Sequence, residues 1–224
     1  MTQPSTPLII FGAGQIAELA WFYFTHDSAY TPVAFTLDRA FMTDDHFHGL
    51  PVIPFDELAQ HFRPDQVEVF VALSYAKVNA LRAQKVAEVR NAGYRLASYV
   101  SSRATVFPGF QPGENSFILE DNTIQPFAHI GNNVTLWSGN HIGHHSVVED
   151  NCFISSHVVI SGGVRVGANT FIGVNSTIRD HVKIGARCVI GAGSLLLADA
   201  EADGVYMAPV TERSRVPSSR LRNI

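Results

Sequence analysis

The chain has 224 residues, 46% of them apolar, with 17 Gly and 11 Pro; this excludes disordered and fibrous classes and leaves room for one large or two small domains. Only 16% are charged and the net charge is −4, against roughly 25% charged in a typical soluble domain, so nucleic-acid and membrane-surface partners are disfavoured and another copy is expected to cover part of the surface. Cys152 and Cys188 are too few for a disulfide framework, no stretch reaches the ~18 apolar residues of a membrane span, and Met1–Pro7 lacks a secretion-signal pattern, so a cytoplasmic protein is expected.

Residues 1–99 alternate between strand and helix. Leu8–Phe11 is a continuous apolar run ending in Gly12-Ala13-Gly14, and Gln15 to Tyr23 carries apolar residues at helical spacing. Val33–Leu37, ending at Asp38, and Val67–Leu73, ending at Ser74-Tyr75, read as further strands. Lys77–Ala92 reads as a polar-faced helix closed by Gly93. Alternation of this kind predicts a small parallel α/β sheet of Rossmann-like type. A glycine turn between strand and helix is the setting of a phosphate-binding loop, and Asp38 stands where an acidic group meets a ribose hydroxyl. Any strand–helix unit also favours a glycine there.

Residues 100–200 are organised by a period of six. Ile118, Ile124, Ile130, Leu136, Ile142, Val148, Ile154, Ile160, Val166, Ile172, Ile178, Ile184, Ile190 and Leu196 follow without insertion. Val100 and Val106 extend the register backwards, with Pro112 as the exception. Four residues after each, the side chain is usually small, as at Ser146, Cys152, Thr170 and Ser176. Helices and flat sheets cannot use this period; a triangular parallel β-solenoid with eighteen-residue coils can. Asn133, Asn151, Asn169, Asn175, Gly163 and Gly193 fall three residues after the aliphatic, where a left-handed corner is cheapest for Asn or Gly. Cys152 and Cys188 are inward positions two coils apart, about 10 Å at ordinary strand spacing and beyond the ~7 Å Cα reach of a disulfide.

Residues just before each aliphatic point outward and stack in columns. One is Phe117, Thr135, Phe153, Phe171, Val189; another is Thr123, His141, Val159, Thr177, Leu195; the third, His129, Val147, Arg165, Lys183, carries two cations. Apolar exterior columns are sticky on a monomer, and packing three prisms about one axis would bury them. A homotrimer is expected.

An uninterrupted hexapeptide array behind Gly12-Ala13-Gly14-Gln15-Ile16-Ala17 resembles one family. It is that of the two-domain left-handed β-helix acyltransferases, the bacterial sialic acid O-acetyltransferases and nucleotide-4-amino-sugar N-acetyltransferases (NeuD/PglD-like). The resemblance covers roughly Leu8 to Pro209. It implies a left-handed helix, acetyl-CoA as co-substrate in a cleft between neighbouring β-helices of a trimer, and a nucleotide sugar held by the N-terminal domain. It also implies a histidine base at His144, within Ile142-Gly143-His144-His145-Ser146, and a coenzyme-contacting glycine at Gly162. Imidazole, with an ordinary pKa of roughly 6.5, suits a base that takes and returns a proton near neutrality. His145 replaces the carboxylate that some relatives carry and is the second catalytic candidate; two solvated corner histidines are the alternative.

Gly162, Gly163, Arg165, Lys183 and Ala192 are the candidate coenzyme contacts; Gly12, Gly14, Gln15, Asp38, Ser74 and Tyr75 are the candidate substrate contacts. The half-size first domain favours a nucleotide sugar over a whole NAD. No metal is expected, because His141, His144, His145 and His157 lack the His-x4-His spacing of interface metal sites in such solenoids. The resulting expectation is N-acetylation of a nucleotide-linked 4-amino-4,6-dideoxy or 3-amino sugar for surface glycan or lipopolysaccharide synthesis. O-acetylation of a sugar or sialic acid, and a silent nucleotide-sugar-binding solenoid, are the alternatives. Residues 201–224, with Arg213, Arg215, Arg220 and Arg222, are expected to form a basic tail.

Overall fold

The computed structural model describes residues 5–220; Met1–Pro4 of the leading stretch and Arg222 of the basic tail lie outside the described residues. The first domain contains β1 (Thr6–Phe11), α1 (Gln15–His26), β2 (Tyr30–Leu37), β3 (His46–Phe47), β4 (Leu50–Pro54), α2 (Leu58–His61), β5 (Glu68–Val71), α3 (Ala80–Asn91) and β6 (Arg95–Leu96). Their order across the sheet is β3-β4-β2-β1-β5-β6, parallel except for β3. Central β1 is buried on both faces from Leu8 to Phe11, which explains its continuous apolar run.

The helix expected from Lys77 begins instead at Ala80. Lys77, Val78 and Asn79 occupy a left-handed turn at φ 54°, 51° and 64°. Such a conformation costs roughly 1–2 kcal/mol per non-glycine residue, and Val78 is β-branched. Tertiary bonds hold it: buried Asn79 donates from Nδ2 to the carbonyls of Asn169 (3.0 Å) and Thr170 (3.3 Å). Gly93, at φ +86°, closes α3 as expected.

The second domain is a left-handed parallel β-helix. Two-residue strands, each ending on the six-fold aliphatic, build three faces. The first face runs from Tyr99–Val100 through Phe117–Ile118, Thr135–Leu136, Phe153–Ile154 and Phe171–Ile172 to Val189–Ile190 and Val205–Tyr206. The second runs from Thr105–Val106 to Leu195–Leu196, and the third from His129–Ile130 to Lys183–Ile184. No strand forms at Pro112, which has no N–H for a ladder. Residues 118 to 190 of the aliphatic series are at most 2% exposed and form one core with Cys152, Cys188, Val158 and Val164. Both cysteines are free, and burial pushes the Cys152 thiol up to about 12.

Every corner residue three after an aliphatic, from Asp121 to Gly193, has φ between +55° and +76°. The same left-handed corner is met by Asn, Gly, His, Asp, Arg and Phe, because the coil geometry is imposed by stacking. At the end of the solenoid the pairs are sixteen residues apart (Ala200 with Ile184, Val205 with Val189), so the last corner is tighter and pairing continues to Tyr206. From 207 to 220 the chain is mostly exposed, Arg213, Arg215 and Arg220 included.

The first outward column, expected under another copy, lies under the chain's own first domain. Phe117, Thr135 and Phe153 are at most 5% exposed, covered by the chain's own first domain and not by another copy. Phe70 packs on Phe117 (5.2 Å between centroids), and Tyr75 packs on Phe153 (5.0 Å) and Phe171 (4.7 Å). Val159 (39%) and Leu195 (64%) of the second column remain exposed.

Arg82 of α3 is the polar anchor of this contact. It is 1% exposed and donates to Asn151 O and Cys152 O (3.1 Å each), to Asn79 Oδ1 (3.2 Å) and to Thr135 Oγ1. Its guanidinium lies over the Phe153 ring, and burial lowers its pKa to about 10. Asn115 adds a second tie, accepting from Val71 N–H (2.7 Å) and starting an Asn115–Asn133–Asn151 side-chain ladder up the same corner.

Candidate active site

A cavity of about 640 Å3 lies between the two domains. Its first wall is the β1–α1 turn and the end of β5: Gly14, Gln15, Ile16, Ala72, Leu73, Ser74 and Tyr75. Its second is the solenoid's first face and the next corner: Trp137, Phe153, Ser155, Ser156 and Val174. Open sheet ends collect ligands in such a place, because amides at a helix N-terminus and loop hydroxyls face one crevice.

Four of the six expected substrate residues, Gly14, Gln15, Ser74 and Tyr75, line this cavity. Gly14 is the N-cap of the twelve-residue α1, whose first N–H groups have no intrahelical acceptor and attract anions. Gly12 stands behind the turn at φ +127°, where an added Cβ would lie 3.0 Å from Ala72 O; it shapes the loop and does not line the cavity. Asp38 is outside the cavity and tied to Lys85 Nζ at 2.8 Å, which also holds Glu88 at 2.7 Å. That half-buried ion pair competes with any ribose hydroxyl. Trp137, Phe153, Ser155 and Ser156 were not legible as site residues, since only the docking of the first domain onto the first face makes a wall of them.

His144 and His145 lie elsewhere, on the corner between the second and third faces, the vertex opposite the face that carries the first domain. Both side chains are exposed. Their Nδ1 atoms are 3.1 Å apart with the rings nearly perpendicular. The His144 N–H donates to Gln125 Oε1 (2.9 Å), one coil earlier. His145 is at φ 58°, and its ring packs on that of Phe127 at 4.8 Å.

Gly162 sits one coil beyond His144. An added Cβ there would lie 2.6 Å from His144 Cε1 and 2.7 Å from Nε2, so the missing side chain is what lets the imidazole lie over the next coil. Of the glycine pair, Gly163 N–H is already donated to His144 O at 2.8 Å. No acceptor takes the Gly162 N–H among the described residues, which leaves it the available donor beside the ring. Gly162→Ala is expected to displace the imidazole with Tm nearly unchanged; a crystal structure of the variant beside a thermal melt would check it. An imidazole left in the same place would show that the corner accommodates the methyl group.

The remaining expected coenzyme contacts are spread over the prism. Arg165 and Lys183 are neighbours on the third face, and Arg165 is paired with Glu149 at 2.9 Å. Ala192 is exposed on the corner between the first and second faces, stacked on the Gly173–Val174 coil. His157 is on that corner too, with its ring against Gly139, whereas His141 is half-buried on the second face. Among the described residues no three His, Cys, Asp or Glu side chains converge as a metal site, and no helix is long and apolar enough to cross a membrane.

Residues 127–162 and 163–198 each match the model of the bacterial transferase hexapeptide (six repeats). None of the curated proteins matches the sequence significantly. Among solved structures, the chain is similar to PerB from Caulobacter crescentus in complex with CoA and GDP-perosamine. There the identity is 24% and the TM-score 0.80, over 90% of this chain and 94% of that one. It is similar also to the acetyltransferase domain of PglB from Neisseria gonorrhoeae in complex with acetyl coenzyme A, at 21% identity and TM-score 0.80, over 91% and 97%. WeeI from Acinetobacter baumannii follows at 16% identity and TM-score 0.75, over 90% and 96%. What the chain shares with them is the fold, both domains in the same order.

Proposed function

We propose that this chain is an acetyl-CoA-dependent N-acetyltransferase acting on a nucleotide-linked amino sugar. The interdomain cavity carries the reading: a helix N-terminus suited to a diphosphate faces an apolar and hydroxyl-bearing wall suited to a deoxy sugar. The fold it shares with structures that hold CoA and GDP-perosamine supports the same class. Acetyl-CoA and nucleotide sugars are intracellular metabolites, so the reading puts the enzyme in the cytoplasm, supplying a glycan assembly pathway.

The reaction needs one base. The sugar amine attacks the thioester carbonyl carbon, a C–N bond forms as the C–S bond breaks, and the amine proton passes to the departing thiolate. His144 Nε2 takes that proton and returns it to the coenzyme sulfur. The Gly162 N–H serves as donor to the developing oxyanion. Neither buried cysteine is needed as an acyl carrier.

His144 and the chain's own cavity are on opposite sides of the prism. A neighbouring copy must therefore bring its His144 corner to the cavity, and a homotrimer with that cleft at each subunit boundary satisfies the requirement. The exposed Val159 and Leu195 belong to the face free to meet that neighbour. Light scattering is expected to give three chains per particle.

The test is mass spectrometry of acetyl-CoA reactions with a panel of UDP-, dTDP- and GDP-linked 3- and 4-amino sugars, sialic acid included. One acetyl group gained on one amino sugar supports the reading. Transfer to sialic acid alone would move the reaction to a hydroxyl, and no transfer to any acceptor would remove the activity.

A further inference from the structure

The proposed base rests on a residue type that does not ordinarily orient one. A general base must present an unprotonated nitrogen to its substrate, so the other ring nitrogen must carry the hydrogen and must have an acceptor to hold it. Around His144 one candidate acceptor is within reach, His145 Nδ1 at 3.1 Å. The carboxamide of Gln125 spends its Oε1 on the His144 backbone N–H. Phe127 and Gly162, which bracket the two rings from the coils on either side, offer no side-chain acceptor.

We propose that His144 and His145 form a neutral imidazole–imidazole pair in which His145 is a positioning residue. His144 is held as its Nδ1–H tautomer, donating to the bare Nδ1 of His145, which carries its own hydrogen on Nε2. This leaves His144 Nε2 unprotonated and pointing away from its partner. When His144 takes the amine proton at Nε2, the positive imidazolium keeps donating from Nδ1 to His145 and no proton leaves the pair. The proton on Nε2 goes on to the coenzyme sulfur, and the original tautomer is restored. The inference rests on the acetyltransferase reading for its purpose, but the tautomer is a property of the resting protein.

The geometry around the pair is arranged for this. His145 sits at φ 58° on the corner, with its Nδ1 3.1 Å from that of His144. Phe127, itself at φ 66°, packs on the His145 ring and limits its rotation. The Gln125 bond fixes the His144 backbone, and the bare Gly162 admits its ring. Three successive coils thus constrain one hydrogen bond. A neutral acceptor also differs from a carboxylate in outcome: protonating His145 turns its Nδ1 into a donor, forces the hydrogen of His144 onto Nε2 and removes the base.

The test uses the full-length protein labelled with 15N-histidine, read by solid-state NMR, with the His144 signals assigned by difference against His144→Gln. His144 is expected as the Nδ1–H tautomer. His145→Asn places an amide oxygen where Nδ1 was and tolerates a left-handed backbone; it should keep the tautomer and kcat within about threefold. His145→Gly also tolerates that backbone but offers no acceptor, so the Nδ1–H signal should be lost. With whichever acceptor the amino-sugar panel identifies, kcat should fall roughly tenfold to a hundredfold at unchanged KM. An Nε2–H tautomer in the unaltered protein, or a Gly variant with the same tautomer as the Asn variant, would overturn the pairing. Both readouts stand even if no acceptor sugar is acetylated, which would sink the proposed activity alone.

Discussion

His144→Ala is expected to lower kcat, with whichever acceptor the amino-sugar panel identifies, by about 10²–10⁴, the range general base catalysis supplies, while Tm stays within a degree or two. The first half follows from geometry: the remaining corner histidine, His145, is at φ 58° with its ring against Phe127, so its nitrogens do not stand where His144 Nε2 stood. The second half follows from exposure: the ring is held only by His145, and the backbone N–H bond to Gln125 survives the substitution. Buried aliphatics at Ile142 and Val148 keep the coil in register on both sides. Rate and stability are therefore separable here, and stopped assays beside a thermal melt would check it. A kcat within threefold of the parent would take the base role away from His144.

Arg82→Ala is expected to be the most damaging single change to stability outside the aliphatic core. It removes the donors on Asn151 O and Asn79 Oδ1 and leaves a void beside Phe153. Buried groups left without a partner cost about 1–3 kcal/mol each, and truncating a large buried side chain adds a cavity cost. A total of about 3–5 kcal/mol corresponds to a Tm loss on the order of 10 °C for a chain of this size. Arg82→Met should be milder, because it fills the space and removes a buried charge that no carboxylate offsets. The left-handed turn at Lys77–Asn79 should loosen in both, since Asn79 loses the guanidinium that fixes its side chain. Urea titration and limited proteolysis of the 74–80 segment would show this; equal midpoints for parent and Ala variant would mean that the apolar contact alone joins the domains.

These two residues mark how differently the sequence exposes function and architecture. His144 was singled out by the family resemblance; the period-six register by itself only placed it, with His145, on an outward corner where two solvated histidines were the alternative. Arg82 was not legible, because it belongs to a polar-faced segment whose spacing reads as solvated helix. The Ser74–Tyr75 edge could be placed from the strand that precedes it. Its opposite wall, Trp137, Phe153, Ser155 and Ser156, could not be recognised before the first domain was seen lying on the first face.

The solenoid is a local consequence of chain pattern: one aliphatic every six residues, a small residue four later and a left-handed corner between them leave no other way to bury the series. The parallel α/β domain follows likewise from apolar runs that end in glycine or polar turns. What covers an outward apolar column has no such local signature, because the side of a prism accepts a domain of the same chain or a neighbour equally well. Phe117, Thr135 and Phe153 were expected under a second copy, and the chain's own domain buries them; Asp38 was expected at a ligand, and Lys85 holds it. The first depends on the orientation of one compact body against another, decided by Arg82, Asn79 and Asn115 finding carbonyls and side chains that are close only in three dimensions; the second depends on α3 packing beside the end of β2 within the first domain.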